Sequence, residues 1–155
     1  CSDAVELPGG TPAEKADFRD NLIADIANIE QGMRIALIGV VNPLIAAIRK
    51  RGGTCLPCDL QMERTQWGDP VEKDMEKVLD SADGVICTGM TLSNGTFDRV
   101  VERVLERNIP LTVYAQTGSA VAARFVGNGI TSLLAESFPF SQFSANATRV
   151  FCYKG

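Results

Sequence analysis

The stretch Thr88 to Thr96, Thr-Gly-Met-Thr-Leu-Ser-Asn-Gly-Thr, gathers hydroxyls, an amide and glycines directly behind the apolar run Gly84-Val85-Ile86-Cys87. A buried strand that runs into such a turn and opens a helix leaves free backbone N–H groups at the helix N-terminus, where they attract an anion or a carbonyl oxygen. Two further turns have the same make-up. Gly39-Val40-Val41-Asn42-Pro43 follows the apolar run Met33 to Ile38, and Gln116-Thr117-Gly118-Ser119 follows Leu111 to Tyr114. Gly39, Asn42, Thr88, Gly89, Thr91, Ser93, Asn94, Gly95, Thr96 and Ser119 are therefore the candidate ligand contacts, with Asn42, Ser93 or Asn94, and Ser119 as helix caps. Any one such turn is what a tight strand-to-helix connection requires; convergence of three is what points to a site. No Lys or Arg occurs in residues 39–47, 88–98 or 114–123, so a multiply charged phosphate would rest on amides and hydroxyls alone.

Two other groups invite chemistry. Asp59 lies 20 residues after Gly39, where an acid at the end of a second strand would hold a nucleotide ribose, although the Gly39 turn lacks the second and third glycines of the dinucleotide fingerprint. Cys55-Leu56-Pro57-Cys58 has the spacing of a redox pair or of half a zinc site. It falls late in a strand, not at a helix N-terminus that would lower a thiol pKa. No second CxxC completes a ligand set, and core thiols are the plainer reading. The chain has no His, which removes Ser-His and Cys-His mechanisms and the usual zinc-hydrolase ligands. Asp98, in the first turn of its helix, needs no role beyond the dipole.

The elements that must position these turns read as alternating strand and helix. Residues 1–10 read as a disordered lead-in. Thr11-Pro12-Ala13-Glu14 is a capping box with Pro at the first helical position, and Phe18, Leu22, Ile23, Ile26 and Ile29 make residues 11–31 an amphipathic covering helix ended near Gly32. Met33–Ile38, Thr54–Cys58, Val85–Cys87, Leu111–Tyr114 and Ile130–Leu134 are strand-length apolar runs, and Val150–Tyr153 suits a last strand on a sheet edge. Helices fall between them, over Asn42–Ile48, Val71–Ala82 and Thr96–Arg107 and after Ser119. Residues 136–148, with Phe138, Phe140 and Phe143, break the rhythm and read as an aromatic loop pinned to the body, or as a lid or subunit contact. The expectation is one α/β domain over 1–155, a Rossmann-like three-layer sandwich on a mainly parallel five- or six-stranded sheet of order 2-1-3-4-5. Strands one and three are then neighbours, and their loops share one crevice.

Bulk composition narrows the partners. A net charge of −4 with 15 scattered Lys and Arg argues against a nucleic-acid surface. No apolar run reaches membrane-spanning length. Five cysteines, an odd number, suit reduced thiols and a cytoplasmic setting more than a secreted disulfide framework. The chain starts at Cys1 without Met, as a trimmed chain, the remainder of a longer one, or a lipidated mature lipoprotein would.

On Thr88-Gly89-Met90-Thr91-Leu92-Ser93-Asn94-Gly95-Thr96 the chain resembles the Rossmann-like domain of the bacterial and archaeal "putative heavy-metal chelation" family, whose mark is a TGTTLxNGT-like segment after a central strand. Met90 replaces the usual Thr. The likeness extends to Met33–Gly39 with Pro43 and to Gly129–Ala135, whereas Gln116–Ser119 keeps only a rough equivalent of the family's Gly-Pro-Ser turn. The resemblance implies handling of a metal or metal complex without fixing any ligand residue. Many members also carry an enolase-N-like domain before this one, which implies that, for a ligand held between the two domains, this chain lacks a neighbour domain or binds differently; separately, a homo-oligomer would be a second source of ligand contacts.

Three functions stay open. The first is a Rossmann-like domain that binds a small anionic or metal-chelating ligand at the crevice, with a metal ion or metal chelate as the implied cofactor. The second is an enzyme using a nucleotide or S-adenosylmethionine with Asp59 on the ribose. The third is a direct metal or redox site at Cys55 and Cys58.

Overall fold

The computed structural model describes residues 2–88, 96–116, 122–136 and 146–155. Among these residues, seven strands and four helices follow one another as β1 (Ser2–Leu7), α1 (Pro12–Ile26), β2 (Arg34–Ile38), α2 (Asn42–Lys50), β3 (Thr54–Cys58), α3 (Met75–Ser81), β4 (Gly84–Thr88), α4 (Phe97–Arg107), β5 (Leu111–Ala115), β6 (Ser132–Glu136) and β7 (Thr148–Lys154), with a short 3-10 turn at Ala123–Phe125 before β6.

These strands form one sheet of order β1-β7-β6-β5-β4-β2-β3. β2 to β6 are mutually parallel. β7 is antiparallel to β6, and β1 is antiparallel to β7. The full order differs from the expected one by two strands at one side, beyond the parallel run β3-β2-β4-β5-β6. The C-terminal strand is not an edge strand; β1 lies outside it.

Residues 2–7 are thus a strand, not a disordered lead-in. Ala4 and Glu6 are exposed, while Val5 is half-buried and Leu7 fully buried, the alternation of a strand with one covered face.

Two layers of helix cover the sheet. Ile23 and Ala24 of α1 and Leu44, Ile45 and Ile48 of α2 pack on Ile35, Leu37, Ile86, Leu134 and Val150. Val78 and Leu79 of α3 and Phe97, Val100 and Val104 of α4 pack on Ala36, Ile38, Val85, Cys87, Val113 and Leu133. Both strand faces are therefore apolar, and each large side chain buried in this way contributes about 1.5–3 kcal/mol.

α1 begins as expected. The Glu14 N–H donates to the Thr11 hydroxyl at 3.3 Å, and the Thr11 N–H donates to the Glu14 carboxylate at 2.8 Å. It ends earlier, at Ile26, because Asn28 takes a left-handed φ of 52°. Its inward face also differs. Lys15 and Asp20 are buried with Ile23 and Ala24, while Phe18 is 41% exposed.

β2 leads through α2 to β3 on one face, and β3 returns through α3 on the other face to β4 on the opposite side of β2. The winding reverses between β2 and β4, and at the carboxyl ends of strands around such a point an open α/β sheet forms a crevice. Among the described residues no helix is long and apolar enough to cross a membrane.

Candidate functional site

Gly39 turns the chain at the end of β2. Its φ of +83° is left-handed, and its N–H donates to the Cys58 carbonyl at 2.9 Å. Its carbonyl accepts from the Thr88 hydroxyl at 3.2 Å, and a Cβ on Gly39 would collide with that hydroxyl oxygen. The ends of β2, β3 and β4 are therefore fastened at one point, and two of the candidate residues, Gly39 and Thr88, meet there.

Asp59 binds the same turn from the β3 side. One carboxylate oxygen accepts from the Val40 N–H at 2.9 Å, and the other accepts from Gln61 at 2.8 Å and Met62 at 3.3 Å. Partial burial works against ionisation, but the Gln61, Val40 and Met62 amides, with Lys73 nearby, outweigh it and hold the carboxyl below its usual range. The chain supplies its own anion to the Val40 amide. A ribose at Asp59 would have to displace or share these bonds.

The α2 N-terminus corrects another expectation. Its cap is Val41, with no side-chain cap bond, and Asn42 lies in the first turn, ahead of Pro43. The Asn42 side-chain oxygen Oδ1 instead accepts from the Gln66 N–H at 3.2 Å, because the connection after β3 folds over this turn. Thr96 caps α4 through its backbone, without a side-chain cap bond. Gly89, Thr91, Ser93, Asn94, Gly95 and Ser119, and most of the 136–148 aromatic loop, lie outside the described residues.

Cys55 and Cys58 do not share a site. Three positions apart in a strand, they point to opposite faces: Cys55 packs with the α1/α2 layer and Cys58 with the α3/α4 layer. One metal ion cannot take both, nor can they pair. β2 lies between β3 and β4, which also separates Cys58 from Cys87. Among the described residues no three His, Cys, Asp or Glu side chains gather to hold a metal.

Burial pushes the Cys55 thiol up to about 12 and the Cys58 thiol up to about 11. Both are expected to alkylate with iodoacetamide at neutral pH at least about tenfold more slowly than a free thiol, measured by mass spectrometry. Fast labelling of either would contradict this environment. Pro57 follows from the sheet edge. Thr54 and Cys58 turn their backbone groups to β2, so Pro57 faces outward, where it removes an N–H that an edge would leave unpaired.

A further cluster has no sequence motif behind it. Thr88 of β4 is paired in register with Tyr114 of β5, and Gly39, Thr88, Tyr114 and Glu136 continue the side-chain alternation of Leu37, Ile86 and Leu134. They form a row along the strand ends on the α1 side. The Tyr114 hydroxyl donates to a Glu136 carboxylate oxygen at 2.5 Å, and the Gln116 side-chain amide donates to the same oxygen at 3.1 Å. Glu136 is 1% exposed. From α1, the Arg19 guanidinium lies 5.0 Å from the Tyr114 ring centre and binds one Asp20 oxygen at 3.0 Å. Lys15 donates to the Asn146 carbonyl at 2.5 Å and to the Thr148 hydroxyl at 2.7 Å. Asp20 is 2% exposed, and its second oxygen has no hydrogen-bond partner among the described residues. The only sequence signal was the run of charge at Lys15, Arg19 and Asp20, which the apolar residues beside it outweighed.

Burial raises the Asp20 carboxyl above its usual range, against the opposing pull of Arg19. A carboxyl raised by folding contributes stability while protonated in the folded state, and that contribution is lost as pH rises through its folded pKa. Asp20→Asn cannot ionise. Its stability relative to the wild type is therefore expected to improve as pH rises from below the ordinary carboxylate range through the raised folded pKa, measured by denaturant unfolding; a pH-independent difference would contradict the raised carboxyl.

Two cavities lie away from this rim. One of about 330 Å³ runs beside β3 between Leu56, Pro57, Val71 and Val78. The other, of about 270 Å³, opens at the opposite end of the strands between Ile26, Met33, Pro110 and Thr131.

Comparison with known proteins follows the fold. The model of the family DUF364, described as "putative heavy-metal chelation", matches residues 22–133. A DUF364-family protein of unknown function from Pyrococcus horikoshii superposes with a TM-score of 0.59 at 16% identity, covering 79% of this chain and 54% of that one. This chain thus spans about half of that relative's length. Mitochondrial aspartate aminotransferase of Trypanosoma brucei (TM-score 0.56, 15% identity, 99% of this chain and 45% of that one) and cystalysin of Treponema denticola (0.58, 10%, 95% and 40%) share the fold alone. No curated protein matches the sequence.

Proposed function

We propose, from the premise that the chain belongs to the DUF364 "putative heavy-metal chelation" family, that it binds a small metal complex at the crevice between the carboxyl ends of β2 and β4. The supporting observation is the fastening of Gly39 to Thr88 at the point where the winding reverses. Gly39, Thr88 and Thr96 are proposed as its contacts among the described residues, and Gly89, Thr91, Ser93, Asn94, Gly95 and Ser119 as further contacts from the sequence.

The donor set does not suit a bare metal ion. The described thiols and carboxylates do not converge, and the CxxC thiols lie on opposite faces. Metal would enter as cargo, already held by a chelator. Charge favours such a ligand over a phosphate: Asp59 already fills the Val40 amide, Pro43 removes an N–H, and no Lys or Arg occurs in residues 39–47. The same facts weigh against a nucleotide-using enzyme. The shared fold with cystalysin, which contains pyridoxal 5'-phosphate, does not extend this reading, because a likeness at 10% identity carries the fold alone.

The test is calorimetric titration with zinc nitrilotriacetate, free zinc and an adenosine dinucleotide, alongside native mass spectrometry of protein purified without chelators. The complex is expected to bind, and Asn94→Ala to weaken it. Binding of the dinucleotide, or of free zinc through Cys55 or Cys58, would replace this reading.

A further inference from the structure

Arg19 and Asp20 combine three features that a structural ion pair does not need together. The guanidinium is fixed on two sides, by the Tyr114 ring and by one Asp20 oxygen through Nε and Nη2. Its third nitrogen, Nη1, has no hydrogen bond or ion pair in the described structure. Beside it, the second Asp20 oxygen is buried with no hydrogen-bond partner among the described residues, an unfavourable state for a polar acceptor. A donor edge that accepts an anion and an acceptor that wants a cationic donor therefore belong to adjacent residues, which are joined through the other Asp20 oxygen at 3.0 Å.

Their place matters as much. Tyr114, on which Arg19 rests, is the in-register neighbour of Thr88, so this pair adjoins the crevice along one row of strand ends. Arg19, Asp20 and Glu136 all lie outside the stretch matched by the family model.

We infer that Arg19 and Asp20 form a subsite of the crevice for a zwitterionic amino-carboxylate, with the ligand's carboxylate on Nη1 of Arg19 and its ammonium or protonated amine on the unpartnered oxygen of Asp20. The inference rests on the crevice reading and names the chemistry at one end of it. Tyr114 and Glu136 are positioning residues: the ring holds the guanidinium plane, and the carboxylate holds the ring through its hydroxyl.

The probe is L-glutamate, with acetate and methylamine as single-charge controls, followed by calorimetry and by NMR of the Arg19 Nε–H and Tyr114 ring signals in the wild-type protein. Glutamate is expected to shift both signals and to bind at least about tenfold more tightly than either control. Arg19→Lys, which keeps the charge but loses the fork, and Asp20→Asn are each expected to weaken it by about tenfold, with folding checked by circular dichroism. No shift of the Arg19 signal, or affinity equal to that of the controls, would overturn the subsite. Zinc nitrilotriacetate separates the two levels: if Asn94→Ala weakens it while glutamate leaves Arg19 unmoved, the subsite alone fails, and if it does not bind at all, the crevice reading fails with it.

Discussion

Gly39→Ala is expected to destabilise the protein by about 3 kcal/mol in urea unfolding. A left-handed backbone costs a side chain about 1–2 kcal/mol, and a methyl forced into a filled site adds about 1–3 kcal/mol. Both terms apply, since φ is +83° and the added carbon would meet the Thr88 hydroxyl. Thr88→Ala alone should cost about 1 kcal/mol, the worth of its bond to the Gly39 carbonyl. In the double variant the collision is gone while the backbone strain stays. The pair should therefore cost at least about 1 kcal/mol less than the two single changes added together. Simple additivity would mean that β2 and β4 do not close on each other as described.

Asp59→Ala carries the second large effect. It releases three amides, those of Val40, Gln61 and Met62, and charge-assisted bonds to backbone N–H groups are the stronger kind. Allowing for partial exposure, a loss of about 2 kcal/mol at neutral pH is expected. The sign with pH follows from the depressed carboxyl: its contribution is present above the ordinary carboxylate range and is lost as pH falls through the folded value. Wild type and Asp59→Ala should thus converge in stability toward acid. Asp59→Asn keeps an acceptor and should cost less. A neutral-pH loss that persisted unchanged in acid would mean that Asp59 acts by packing, not by charge.

Much of the scaffold was readable because its signals are local. Apolar runs such as Met33–Ile38 mark strands covered on both faces, and Thr11 with Glu14 marks a helix start through bonds within one turn. The readings that failed depend on partners far along the chain. Ser2–Leu7 has too little apolar weight to declare a strand, and becomes one because β7 offers it an antiparallel partner.

The face of α1 was misread for a related reason. Phe18 and Leu22 suggest one inward stripe, but Tyr114 and Thr148 give Arg19 and Lys15 reasons to turn inward. Asn42 has the right type for a cap, yet the Gln66 amide reaches it from the connection after β3. The separation of Cys55 from Cys58, by contrast, was available from spacing, since an offset of three in a strand always divides the faces. Of the candidate contacts, Gly39 and Thr88 come together, Asp59 serves the scaffold, and the Arg19–Asp20 corner left no motif because it is assembled from α1, β5 and β6.

An amide-resolved NMR titration with diamagnetic zinc nitrilotriacetate tests the central claim most directly. The account expects shifts at Gly39, Val40, Thr88 and Tyr114 and in the residues leading into α4. Shifts confined to Met33, Thr112 and Thr131 around the cavity at the other end of the strands, or none anywhere, would contradict it.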